Sequence, residues 1–140
     1  MSGVNHLAAI IAGMVQFAFG ALWYTVFAQP WMAGIGKTEA QLMAEHGNSP
    51  LPYIVAVITA VIVAYTIAWL LPKLDAQSVG GGIRVGVTLA LTLIATTIAL
   101  NYGFEGRSVS LWLINSGYMV VGMGIMGAIV GGWRTKRAVA

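Results

Sequence analysis

Four apolar runs, Val4 to Phe27, Leu51 to Leu71, Ile83 to Tyr102 and Leu111 to Trp133, leave this chain one kind of fold. Each is close to the roughly 20 residues that a helix needs to cross a hydrocarbon core. Hydrophobic residues make up 59% of the chain and charged residues 8%; an ordinary soluble domain carries about 25% charged residues. So few charges cannot cover a soluble surface, and lipid must cover most of it. The expected architecture is therefore all-α. It is a polytopic membrane protein, one transmembrane domain over residues 1–140, with four spans bundled together and a short interfacial helix in the first loop.

Small residues at helical spacing show how the spans meet. Asn5, Ala9, Gly13, Gln16, Gly20 and Trp23 fall on one face of the first run. In lipid, packing drives association, and small residues let backbones approach. Gln16 lies near mid-span, so its amide is expected to face another helix. The second run carries Ala56, Ala60, Ala64 and Ala68 in steps of four. In the last, Gly117, Gly124 and Gly131 recur every seven residues, and Gly127 and Gly131 form a Gly-x-x-x-Gly pair. Thr88, Thr92 and Thr96 stack in the third run, with Thr97 and Asn101 on an adjoining face. A threonine stripe either packs against a neighbour or lines a polar path.

The connections carry their own signals. Thr38-Glu39-Ala40-Gln41 is a capping box, so a short helix is expected to begin there and to end at Gly47 in the left-handed conformation. Trp23, Tyr24 and Trp31 suit the membrane boundary. Pro52 suits a helix start, and Pro72 is expected to mark that helix's end. Gly80-Gly81-Gly82 reads as a flexible turn; without a Lys-Ser/Thr ending it is no phosphate loop. The first run lacks a basic leader and is too long for a cleaved signal sequence, so it is expected to remain as a span.

Charge placement predicts orientation. Lys73, Arg84, Arg134, Lys136 and Arg137 gather on one side, Lys37 and Arg107 on the other. By the positive-inside rule both termini are cytoplasmic, in a multi-pass protein of the cell membrane. The formal charge of +3 is too small and scattered for nucleic acid.

Enzyme chemistry finds little footing. His6 and His46 fall on opposite sides of the membrane and cannot share a metal. There is no cysteine, no nucleophile beside a base, no paired carboxylate in a span and no cofactor motif. The polar groups that remain cluster at the outer ends of the last two spans. Asn101 precedes the turn and Asn115 follows it, so antiparallel helices are expected to bring the two amides together; Tyr118 lies one turn below Asn115, and Glu105 and Arg107 close the top. Phe104 and Trp112 flank that turn, which predicts a partly buried ion pair; removing one partner of a desolvated pair is strongly destabilising.

The run Asn101-Tyr102-Gly103-Phe104-Glu105-Gly106-Arg107, continued by Leu111-Trp112-Leu113-Ile114-Asn115-Ser116-Gly117-Tyr118, resembles the domain-of-unknown-function family numbered 1761. So does Gly20-Ala21-Leu22-Trp23-Tyr24 with Trp31-Met32. The resemblance implies a four-helix integral membrane protein and carries over no catalytic role. Its motif positions here are Trp23, Tyr24, Asn101, Tyr102, Glu105, Arg107, Asn115 and Tyr118.

Two functions fit these residues. One is a structural or accessory membrane protein whose glycine faces bind copies of itself or other membrane proteins. The other is an oligomeric permeation unit for small solutes or ions. The first predicts polar groups buried against each other and glycine faces left to lipid; the second predicts a continuous polar lining.

Overall fold

Asn5 opens the first helix, accepting the Ala8 backbone N–H at 3.0 Å. The computed structural model describes residues 3–133 of the chain. Helix α1 covers His6–Val26. The chain then breaks at Phe27 and continues as α2, Ala28–Ile35, which Gly36 closes with a left-handed φ of 69°. The first loop thus holds two short helices where the sequence announced one. The announced helix is α3, Glu39–His46, and its capping box is complete: Thr38 and Gln41 each satisfy the other's backbone N–H. Gly47 ends it at φ 51° and ψ −136°, a positive φ outside the left-handed helical region. An ion pair between Lys37 and Glu45 spans α3, and the ammonium holds the Glu45 carboxyl below its ordinary range.

Helix α4 runs Leu51–Leu70 with Pro52 in its first turn. It passes Pro72 by tightening into a 3₁₀ turn, Leu71–Leu74, rather than stopping there; Pro72 falls in the first positions of that turn, where no donor is lost. Lys73 then lies 4.7 Å from the Trp69 ring centroid.

The third span corrects the sequence reading most. Gly80, Gly81 and Gly82 are not a turn but part of helix α5, Val79–Leu89, which Ser78 caps by accepting the Gly81 N–H. Residues Ala90–Ala95 form a wide π turn, and α6 continues over Thr96–Glu105. After a left-handed Gly106, Ser108 caps α7, Val109–Gly132. Four helical stretches are long and apolar enough to cross a membrane: His6–Val26, Leu51–Leu74, Val79–Glu105 and Val109–Gly132.

Helix α7 is the centre of the bundle. It packs against α5, α1 and α4, and its N-terminal end meets α2. Helix α4 lies mainly on α1 and α7, so the third span has α7 as its chief neighbour. The α5–α7 crossing is built from bare backbone. A Cβ on Gly82 would collide with the Gly127 carbonyl, one on Gly127 with the Gly82 carbonyl, one on Gly86 with the Met123 carbonyl, and one on Gly131 with the Ser78 carbonyl. That is why these glycines are helical despite the propensity cost of about 1 kcal/mol each. Gly124 touches Val87 side-chain atoms, and Gly13 admits Val61 of α4. The apolar core beside them contains Ala12, Ala64, Ile67, Leu71, Met123 and Met126.

Candidate functional site

Helices α1 and α7 run antiparallel in a register that steps one turn at a time. Tyr24 meets Asn115, Gly20 meets Tyr118, and Gln16 meets Gly122. At the step nearest the C-terminus of α1 the Tyr24 hydroxyl donates to Asn115 Oδ1 at 2.8 Å. Asn115 Nδ2 in turn donates to the Tyr102 hydroxyl at 2.7 Å. One amide therefore ties α1, α6 and α7 together, and both of its ends are engaged.

Aromatic rings surround this chain of bonds. Tyr118 lies 5.2 Å from Tyr24 and stacks at 6.0 Å on Phe19, centroid to centroid. Its hydroxyl rests over Gly20, where a Cβ would approach it to 2.9 Å. Trp31 of α2 meets Tyr24 edge-on at 5.8 Å. Trp23 instead turns to Phe19, Phe27 and the Gly117 surface, and its indole N–H donates to the Ile114 carbonyl at 3.0 Å. The four-residue spacing of Phe19, Trp23 and Phe27 was the available signal for that ladder; no pattern announced its carbonyl partner.

Asn101 does not join Asn115. It is exposed, and among the described residues its side chain makes no hydrogen bond. The π turn is the cause. Gly82, Gly86 and Ala90 face the bundle in steps of four. Regular α-helix would carry that face on through residues 94, 97 and 101. One extra residue in the wide turn moves it to Ala95, Ile98 and Tyr102. Thr97 and Asn101 turn outward and Tyr102 takes the partner expected for Asn101. Trp112 fastens this arrangement, its indole N–H donating to the Ala95 carbonyl at 2.9 Å.

The threonine stripe forms no polar path. Thr92, Thr96 and Thr97 bond back to the carbonyls of Thr88, Thr92 and Leu93 within their own helix, on an exposed face.

Glu105 and Arg107 do pair, but the expected burial is absent: both side chains are exposed, and Phe104 is 89% exposed. The two-residue turn through Gly106 projects the pair beyond the helix ends instead of folding it onto Asn115. The carboxylate raises the already high Arg107 value, and the guanidinium lies 5.5 Å from the Tyr102 ring centroid. With α2 the turn borders an open cleft of about 710 Å³, lined by Gly34, Gly36, Glu105, Arg107 and Ser108 among others. A solvated pair of this kind is screened by salt and is no clamp.

Deeper down, Gln16 is only 2% exposed, and neither its Nε2 nor its Oε1 has a hydrogen-bond partner among the described residues. At the N-terminal end of α1, His6 Nδ1 lies 3.0 Å from the Tyr65 hydroxyl, joining α1 to α4. No group of three metal-ligating side chains occurs among the described residues. The accessory reading predicts glycine faces left to lipid, and they are not: Gly13, Gly20, Gly117, Gly124, Gly127 and Gly131 all contact neighbouring helices of this chain.

A family model described as a protein of unknown function (DUF1761) matches residues 7–131, and the chain belongs to that family. No curated protein and no solved structure matches it.

Proposed function

We propose that this member of the DUF1761 family is a structural, accessory protein of the membrane, without enzymatic activity, on whose outer surfaces other membrane chains or further copies of itself assemble. One observation carries the reading: both ends of the Asn115 amide are taken by Tyr24 and Tyr102, so the outer polar cluster closes on itself. The glycine faces are consumed within the bundle. Contacts to partners then fall to the outward face of the third span, where Leu93, Leu100 and Phe104 are exposed. Solute or ion permeation is the competing function. In proteoliposomes the protein should leave the flux of glycerol and potassium ions at the level of protein-free vesicles, and a photo-crosslinker at Leu100 should capture a defined membrane protein or a second copy. Flux above that level, abolished by Asn115→Leu, would sink the accessory reading.

The same reading places both termini in the cytoplasm of a cell-membrane protein. Lys73 and Arg84 flank the connection between α4 and α5 on the side expected to be cytoplasmic; Arg134, Lys136 and Arg137 lie outside the described residues. A reporter fused after Ala140 should show cytoplasmic activity, and one inserted between Gly36 and Thr38 should show the exterior. The opposite pattern would reverse the orientation.

A further inference from the structure

Where α6 gives way to α7, two cavities share a wall. One is the open cleft of about 710 Å³ between the C-terminal turn of α2 and the Glu105–Arg107 turn. The other is a groove of about 320 Å³ between α6 and α7, lined by Ala99, Tyr102, Gly103, Val109 and Trp112. Arg107 and Ser108 line both. The groove offers carbon surface, because the protein already engages the polar tips of its aromatic walls. The Tyr102 hydroxyl is bonded to Asn115 and the Trp112 indole N–H to the Ala95 carbonyl.

The cleft is polar but carries no net charge. Glu105 and Arg107 are its only charged lining residues. Their ion pair uses part of each group, with Arg107 donating through Nε to Glu105 Oε2. The N–H groups on the two terminal guanidinium nitrogens, and Glu105 Oε1, have no hydrogen-bond partner among the described residues. The guanidinium is held 5.5 Å from the Tyr102 ring centroid, at the mouth of the groove. Phe104 and Val109 are exposed on either side of these charges. Charged and large apolar side chains meet in this way at the membrane boundary, which sets the cleft at headgroup level and the groove beside the acyl chains.

We propose that cleft and groove together bind one phospholipid whose headgroup carries a primary ammonium, as in phosphatidylethanolamine. Its phosphate accepts from the free Arg107 N–H groups, its ammonium donates to Glu105 Oε1, and one acyl chain lies in the groove against Trp112 and Gly103. The zwitterion meets an opposite charge at each end. A headgroup with negative charge alone would meet Arg107 but be repelled by Glu105. Choline has the positive charge but no N–H to donate. A free phosphate or amine would leave the apolar groove empty. This site adds a ligand to the accessory function and does not rest on it.

Native mass spectrometry of the intact protein, released from detergent, tests the site. Phosphatidylethanolamine, phosphatidylcholine and phosphatidylglycerol with identical acyl chains are added at equal concentration. The protein should retain phosphatidylethanolamine about fivefold over phosphatidylglycerol, the upper value for an exposed ion pair. Glu105→Gln should abolish that preference, and Arg107→Gln should lower retention of all three lipids. Gly103→Leu should also lower all three by filling the groove. Gly103 has nothing within 4 Å of an added Cβ, so this variant should keep its fold, which circular dichroism and thermal unfolding check. Equal retention of the three lipids by the unaltered protein, or a preference for phosphatidylglycerol, would overturn the site. So would a phosphatidylethanolamine preference that survives both Glu105→Gln and Gly103→Leu, since the lipid would then be bound elsewhere on the surface.

Discussion

Replacing Gly82 or Gly127 by alanine should unfold the α5–α7 pair. One methyl group is a small change, but each would be driven into the carbonyl of the facing helix, and a backbone cannot rotate aside as a side chain can. The helices must separate along the crossing, losing the contacts at Gly86 and Gly131 as well. Overpacking ordinarily costs about 1–3 kcal/mol, and a clash between two backbones belongs at the top of that range or above it. Gly80 supplies the control. It lies in the same helix with nothing within 4 Å of an added Cβ, so Gly80→Ala should gain up to about 1 kcal/mol from helix propensity. Gly124→Ala meets only Val87 Cγ2 at 3.2 Å and should be mild. Thermal unfolding in detergent, followed by tryptophan fluorescence, orders the four. Equal stability of Gly80→Ala and Gly82→Ala would mean that the helices do not meet through their backbones.

Asn115→Leu should be the most damaging change in the outer cluster. It removes two interhelical hydrogen bonds at once and leaves the Tyr24 and Tyr102 hydroxyls without their partner. Such bonds in membranes average about 0.6 kcal/mol and reach about 1.7, so the pair predicts a loss of about 1–3 kcal/mol. Tyr24→Phe and Tyr102→Phe should each lose one bond's share. In the Asn115→Leu background either phenylalanine change should then cost almost nothing, the non-additivity expected of groups in one network. If Tyr24→Phe costs the same in both backgrounds, the amide does not join these helices.

Much of this was legible because it depends on composition and short-range spacing. The spans follow from hydropathy, α3 from its capping box, and the close crossings from glycines at intervals of seven. What escaped depends on one inserted residue or on distant partners. Gly80–Gly82 looked like a turn because three glycines are poor helix formers; only the opposing Gly127 shows why helix wins. Regular helical spacing places Asn101 inward, and the wide turn at Ala90–Ala95 gives its position to Tyr102. The two-residue spacing predicts the Glu105–Arg107 pair, but a turn's projection cannot be taken from flanking aromatics. Gln16 is expected to face another helix, and it does; that it lies on a glycine was invisible.

The position of α7 also has a consequence for biogenesis. Chains are made from the N-terminus onward, so the first three spans enter the membrane before the helix that organises them. Helices α1 and α4 can join at once through Gly13 and Val61. The third span cannot, since it has little contact with α4 and its main neighbour is still unmade. Until α7 arrives, its glycine face lies against lipid with bare backbone outward, in the form most open to capture by another nascent protein. The interval between insertion of the third and fourth spans is therefore when this glycine face is least covered.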